Sequence, residues 1–536
     1  MTGLPAFENR TLSFAFERVL HERPEAIAFI NGDQQLTFEQ THQKSQQVIG
    51  GLSSLGVDRG LPVALLMNNS IDMQHALAGI CLGGGIQVPV NTAHRGQFLT
   101  HVLNDSSADT LFVEDEYLDR VEFVADDLPH LRTLIVRGDI RAADSLAGRF
   151  RVVGYEEIQQ SDPTAPAANR ADELMAYMYT SGTTGPSKGV EICHVHAYTY
   201  ASREDAAWQP TPDDRVLVTL PMFHLAGQWV GCYGSIIHQH SCVIEPGFSA
   251  SRFWPTVREH GITYTTLLGA MAEILQQQRP RSDDADNPLT YATMHPLATD
   301  VLGFAKRFGI EIGTGYGMSE IGGVMSNTWA TLVPGEAGLA RDGYDLKVMR
   351  EDHTEADVNE VGELWVRPED PRMVLRGYHG LPEKTAETVI DGWVHTGDAF
   401  KVDADGHYFF IDRMKDALRR RGENISSFEV EKAINEHPDV YESAVVAVPS
   451  ELSEDDIKAV IIPREGTQID FLELTEFLAV RMPYFMVPRY FEVATDLPRT
   501  PTQKVQKHVL RGAGTSGDVW DREAAGVRVT KDGRIA

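Results

Sequence analysis

The sequence predicts an α/β protein with a large N-terminal domain of mostly parallel sheets covered by helices, followed by a small α+β C-terminal domain. Three observations carry this reading. The chain has 536 residues, too many for one compact core. Short β-branched runs alternate with helix-period stretches along most of it, the pattern of βαβ units. Near residue 412 the character changes to fewer, differently ordered elements, which places the domains at 1–412 and 413–536.

In the first domain the runs PVALLMNN, DTLFVED, TLIVRG, RVLVTL, ITYTTLLG and IEIGTGYG are strands. FLTHVLND and AMAEILQQQ are helices between them. ELMAYMYT is apolar enough to be a buried strand. After residue 412, Ser426-x-x-Glu429 is a capping box opening a helix through about His437, which Pro438 stops. ESAVVAVP and KAVIIP follow as strands and DFLELTEFLAV as a helix. The tail from about Gly512 has weak periodicity and is expected to be mobile or lightly docked.

Composition narrows the function classes. Forty-eight Lys and Arg against 77 Asp and Glu give a net charge of −29, which opposes non-specific binding to nucleic acid or anionic membranes. Cys81, Cys193, Cys232 and Cys242 form no C-x-x-C pair and no disulfide framework, so a reducing cytoplasm is the expected location. The N-terminus has no signal-peptide pattern, and the most apolar stretch, ALAGICLGGGIQVPV, is short and glycine-broken, so no transmembrane helix is expected.

The segment YTSGTTGPSKGV at 179–190 crowds glycines and hydroxyls ahead of one lysine. A surface turn is the plain reading. A phosphate cradle is the sharper one, because glycines let backbone N–H groups approach anionic oxygens, hydroxyls add donors and a lysine adds charge. The loop follows a predicted strand, where open α/β sheets place ligands. It is not a P-loop, since Gly182 and Gly185 are too close and Gly189 follows Lys188.

Four more segments occur in order: GTGYGMSE at 313–320, DGWVHTGD at 391–398, DRMKDALRRRGENIS at 412–426 and PRTPTQKVQK at 498–507. With these motifs the chain resembles the adenylate-forming superfamily, which contains acyl-CoA synthetases, firefly luciferase and nonribosomal adenylation domains. The similarity runs from about residue 12 to 511 and is greatest to stand-alone acyl-CoA ligases, including those acting on carnitine-type and other small organic acids. The resemblance implies an ATP-dependent acid–CoA ligase that forms an acyl-adenylate and then a thioester, releasing pyrophosphate and AMP.

It also implies the site. Thr180, Ser181, Gly182, Thr183, Thr184 and Gly185 would hold the β- and γ-phosphates, with Lys188 nearby. Gly315, Tyr316 and Gly317 would flank adenine, with Tyr316 in a glycine-flanked turn stacking on the base. Ser319 and Glu320 match the family's hydroxyl–glutamate pair, whose carboxylate holds Mg²⁺. Asp398 would bind the ribose hydroxyls, Arg413 the nucleotide, and Lys504 the α-phosphate and substrate carboxylate during adenylation. Lys415 occupies the hinge about which the small domain would rotate, bringing Gly422, Glu423 and Asn424 to coenzyme A. Arg419, Arg420 and Arg421 would meet its anionic end, or else form a solvated basic helix face.

Two departures from the family pattern stand out. Gln503 replaces the usual glycine before Lys504, and Met294-His295-Pro296 replaces the usual Gly-Ala-Pro beside adenine. In PMFHLAG, His224 would sit at the carboxylate end of the acyl pocket, with Gln228, Trp229 and Tyr233 lining it; a satisfied, partly buried histidine is the alternative. His238, His240 and Cys242 alternate as ligands on one strand face would, and Cys193, His194 and His196 add more, but no tight ligand pair supports zinc. Expected partners are a small carboxylic acid, ATP and coenzyme A, with no nucleic acid; a homodimer is compatible. The alternatives are transfer to a separate carrier protein, a light-emitting oxygenase and an inactive binding module.

Overall fold

A computed structural model describes residues 4–180, 186–202, 209–298, 300–350, 352–413, 418–420, 423–425, 427–450, 455–498, 505 and 507–535. Two large mixed sheets form the first domain. One has nine strands and runs from Leu339–Ala340 through Gly322–Asn327, Glu311–Met318, Tyr291–Met294 and Tyr264–Leu267 to Arg215–Val218, Ser241–Ile244, Ile27–Asn31 and Gln34–Thr37. The other has eight, from Gly377–Tyr378 through Lys188–Cys193, Leu174–Thr180 and Ile86–Pro89 to Pro62–Leu66, Thr110–Glu114, Thr133–Arg137 and Arg151–Gly154. Neighbouring strands pair in parallel from Glu311–Met318 to Ile27–Asn31 in the first sheet and from Leu174–Thr180 to Arg151–Gly154 in the second. That is why TLFVE and VALL read as unbroken apolar runs: parallel strands are covered on both faces.

The helix Ile71–Leu82 is buried on every side, and one core cluster spans both sheets around it. Gly79 lets it approach the helix Phe38–Ser54, since a Cβ there would lie 2.6 Å from Val48 Cβ. A capping box of Thr37 and Gln40 starts that second helix.

A third, antiparallel sheet follows, made of Tyr344–Met349, Gly362–Pro368, Val389–Ile390, Trp393–Val402 and Tyr408–Arg413. The small domain has a hairpin, Leu418–Arg420 with Glu423–Ile425, and a four-stranded sheet of Val440–Pro449, Asp455–Pro463, Tyr490–Val493 and Val519–Asp521. The expected α/β class and two-part architecture are therefore what the chain adopts.

The tail is docked, the second of the two expected states. Val519–Asp521 pairs with Tyr490–Val493, and the Trp520 ring stacks on Phe471 at 5.5 Å. Arg522 is buried and donates from Nε to the Pro488 carbonyl at 2.9 Å. Three strand residues are too few to register as periodicity, but the half-buried Trp520 and the buried Arg522 anchor the segment.

Candidate active site

The site gathers where the strand Glu311–Met318 turns back into Gly322–Asn327. This hairpin corrects one expectation: Tyr316 lies on a strand, opposite Met325, and not in a turn. The glycines that suggested a turn serve close backbone approach instead. A Cβ at Gly317 would lie 2.2 Å from the Gly322 carbonyl oxygen, and one at Gly315 would lie 2.5 Å from that of Met325. His295, from the variant Met-His-Pro segment, bonds through Nδ1 to the Gly315 carbonyl at 2.8 Å. The turn holds Ser319 half-buried and Glu320 buried.

Asp398 comes from the antiparallel sheet and is 3% exposed. The preceding Gly397 has φ +71°, which turns the chain so that the Asp398 N–H donates to Thr396 Oγ1 at 3.1 Å. The Tyr316 hydroxyl donates to Asp398 Oδ2 at 2.5 Å, and the Tyr316 ring meets Phe400 edge-on at 4.8 Å. Arg413 is directly across from Asp398 in the strand register, so two residues assigned to the nucleotide share one rung.

Glu320 leads to the other sheet. Tyr378 donates its hydroxyl to Glu320 Oε1 at 3.0 Å, and its ring lies 4.5 Å from Lys188 Nζ. Lys188 starts the strand after the hydroxyl-rich loop, and Thr180 ends the strand before it. Ser181, Gly182, Thr183, Thr184 and Gly185 lie outside the described residues. Where the chain reappears, Ser187 is held from two sides. His101 Nε2 bonds its carbonyl at 2.7 Å, and its N–H donates to Glu429 Oε1 of the small domain at 2.8 Å. Glu429 thus reaches across the domain junction; Ser426, its expected capping partner, lies outside the described residues. Burial there pushes the Glu429 carboxyl up to about 7.

The residues expected to line an acyl pocket are more buried than expected. His224 is half-buried in the turn before the π-helix Ala226–Tyr233, with its ring 4.6 Å from that of Phe223. Gln228 is buried and donates from Nε2 to Gln87 Oε1 at 2.7 Å. Trp229 and Tyr233 are buried core residues, with Trp229 edge-on to Tyr200 at 6.0 Å. Tyr200 and His196 instead border the hairpin: a Cβ on Gly322 would lie 3.3 Å from His196 Nε2 and 3.6 Å from Tyr200 Cδ2. Burial pushes His196 down to about 3 and His194 to about 4, so both are neutral at pH 7. His238 ends the helix Gly234–His238 whereas Cys242 lies on the strand Ser241–Ile244, so the single-strand ligand face does not form.

In the small domain Arg420 is neither a solvated helix residue nor free for coenzyme A. It sits on a strand, 4% exposed, pairing with Asp456 at 2.9 Å and donating to the Val487 carbonyl at 3.1 Å. A guanidinium buried there needs those partners to offset desolvation. Glu423 and Asn424 lie on the facing strand. Lys415, Arg421, Gly422, Gln503 and Lys504 lie outside the described residues. The domains meet where Phe98, on the helix Gly96–Asp105, joins the small domain's core cluster.

The geometry therefore joins Tyr316 to Asp398, whose rung Arg413 shares, and joins Glu320 to Lys188 through Tyr378. The sequence reading missed Tyr378, which links two of them from a strand of two residues, and it missed the Ser187–Glu429 contact between domains.

Comparison with known proteins agrees with the arrangement. A crotonobetaine/carnitine–CoA ligase of Salmonella paratyphi B is 27% identical over 492 residues, 89% of this chain and 93% of its own. A fatty acid–[acyl-carrier-protein] ligase of Streptomyces coeruleorubidus is 31% identical over 509 residues, 92% of this chain and 94% of its own. The o-succinylbenzoate CoA synthetase of Bacillus subtilis has the same fold, with TM-score 0.81, 23% identity and coverage of 95% of this chain and 99% of that one. The family model for AMP-binding enzymes matches residues 16–379, and that for the AMP-binding enzyme C-terminal domain matches 429–504. The chain belongs to the AMP-binding enzyme family.

Proposed function

We propose that this protein is an ATP-dependent acid–CoA ligase. The observation that carries the reading is a pair of contact groups on one hairpin, Asp398–Tyr316 and Glu320–Tyr378–Lys188, which draw on three sheets beside the phosphate-type loop. Each group holds one carboxylate, Asp398 or Glu320, and the second also holds the Lys188 ammonium next to the loop. The match to CoA-ligase relatives over nearly the whole chain supports the acceptor.

In the first step an oxygen of the acid's carboxylate attacks the α-phosphorus of ATP, and the bond to the bridging oxygen of pyrophosphate breaks. In the second the thiol of coenzyme A attacks the acyl carbon, AMP leaves, and the thiol proton is released. Two anions meet in the first step, so positioning and electrostatics are the chief demands, and no protein nucleophile is required. Asp398, its carboxylate fixed by Tyr316, accepts hydrogen bonds from the ribose hydroxyls. Thr180 and the loop 181–185 donate to the phosphates with Lys188 alongside, and Tyr316 stacks on adenine. Arg413 reaches the nucleotide, Lys504 meets the α-phosphate, and His224 borders the acyl carboxylate. Lys415 is the pivot for the domain 413–536, and the segment that includes Gly422 and Glu423 receives coenzyme A.

The donors fit Mg²⁺. Among the described residues no cluster of three His, Cys, Asp or Glu could cage an ion. Glu320 would offer one hard oxygen ligand of the kind Mg²⁺ takes alongside substrate phosphates. Bound there, Mg²⁺ would neutralise phosphate charge.

The carrier-protein relative supports a second reading, in which the acyl group goes to the thiol of a carrier protein. Product analysis across a panel of acids, from short aliphatic to aromatic, tests both. Pyrophosphate, AMP and an acyl-CoA are expected. A thioester on carrier protein alone would select the second reading, and ADP as the nucleotide product would exclude both.

A further inference from the structure

The geometry points to Tyr378 as the residue that positions both Glu320 and Lys188, setting how strongly the site couples metal to nucleotide. This rests on the reading of Glu320 as a metal ligand. Tyr378 is itself firmly held. Its strand pairs with Lys188–Cys193, placing it opposite Val190. Its N–H donates to Thr385 Oγ1 at 2.8 Å, and the side chain is 7% exposed. A ring so fixed has little freedom to follow its partners, so they follow it.

Two contacts leave that ring. The hydroxyl donates to Glu320 Oε1 at 3.0 Å, and the face carries the Lys188 ammonium 4.5 Å from its centroid. The segment also clamps the backbone, because the Leu375 N–H donates to the Glu320 carbonyl at 2.7 Å. Glu320 stands on a hairpin of the nine-stranded sheet and Lys188 on the eight-stranded one. Tyr378 is thus a bridge between two sheets as well as between two charges. A hydrogen bond to Oε1 fixes the carboxylate plane and directs the other oxygen, as outer-sphere donors do for metal-binding carboxylates. A cation over an aromatic face keeps a preferred distance without neutralising it.

The two contacts separate by substitution. Tyr378→Phe removes the hydroxyl and keeps the ring; Tyr378→Leu removes both. ATP binding, measured by calorimetry without acid, is compared in Mg²⁺ and in excess chelator, with melting temperature as a control on folding. The ratio of the two affinities reads the metal's share of binding, which a purely structural residue would not move. For Tyr378→Phe that ratio should fall roughly tenfold, with affinity in chelator unchanged. For Tyr378→Leu the affinity in chelator should fall as well. An unchanged ratio in Tyr378→Phe, or an equal loss in both conditions, overturns the assignment of Tyr378. A wild-type protein whose ATP affinity ignores Mg²⁺ overturns the reading of Glu320 beneath it.

Discussion

Replacing Glu429 with glutamine should change how the protein's stability depends on pH. The carboxyl is buried at the domain junction and is pushed up to about 7 from its ordinary 4.5, first by desolvation, against which the Ser187 N–H and Lys432 act. The sign follows from linkage. The folded protein holds this proton more tightly than the unfolded chain, so stability is lost as pH rises from 4.5 through about 7. At about 1.4 kcal/mol per pH unit that loss is on the order of 3 kcal/mol. Glutamine keeps an oxygen to accept from Ser187, donor at 2.8 Å, and cannot ionise. Denaturant unfolding of both proteins at pH 4.5 and pH 8 gives the test, and other titrating groups cancel in the comparison. The variant should match the wild type at the lower pH and exceed it by up to about 3 kcal/mol at the higher. A difference that does not change with pH would mean Glu429 is solvated, and that the small domain does not rest on Ser187 in solution.

Two further substitutions address the nucleotide. Lys504→Ala should slow adenylation by roughly 10²–10³, the cost of losing a charge aimed at the reacting phosphoryl group. It should spare thioester formation from synthetic acyl-adenylate, and single-turnover kinetics of each half-reaction separate the two. Asp398→Asn keeps an acceptor for Tyr316 but loses the charge, so KM for ATP should rise about 10- to 100-fold, as expected for hydrogen bonds to a charged group; steady-state kinetics with kcat followed alongside checks this.

Much of the fold was legible because parallel strands are buried on both faces. Runs such as TLIVR at 133–137 and TLFVE at 110–114 leave no polar alternation to confuse them, and each is a strand. The site was legible as a set of motifs: Tyr316 meets Asp398, and Glu320 lies in the turn of the same hairpin as Tyr316. What sequence hid was long-range. Tyr316 looked like a turn residue because its glycines, needed for backbone approach to Met325 and Gly322, carry the composition of a loop. Arg420 looked like surface because nothing local shows that Asp456 and Val487 lie beside it. Tyr378 had no periodicity to reveal it, since its strand is two residues long. The tail beyond Gly512 docks through Trp520 against Phe471 and Phe491, partners distant in sequence.

The central claim is that a carboxylate oxygen attacks the α-phosphorus of ATP in this site. Turning over an acid labelled with ¹⁸O in its carboxylate, then weighing the products by mass spectrometry, tests it directly. One labelled oxygen in AMP, with pyrophosphate unlabelled, is the result this account predicts. Label in pyrophosphate or inorganic phosphate, or AMP formed without label while acyl-CoA accumulates, would contradict it.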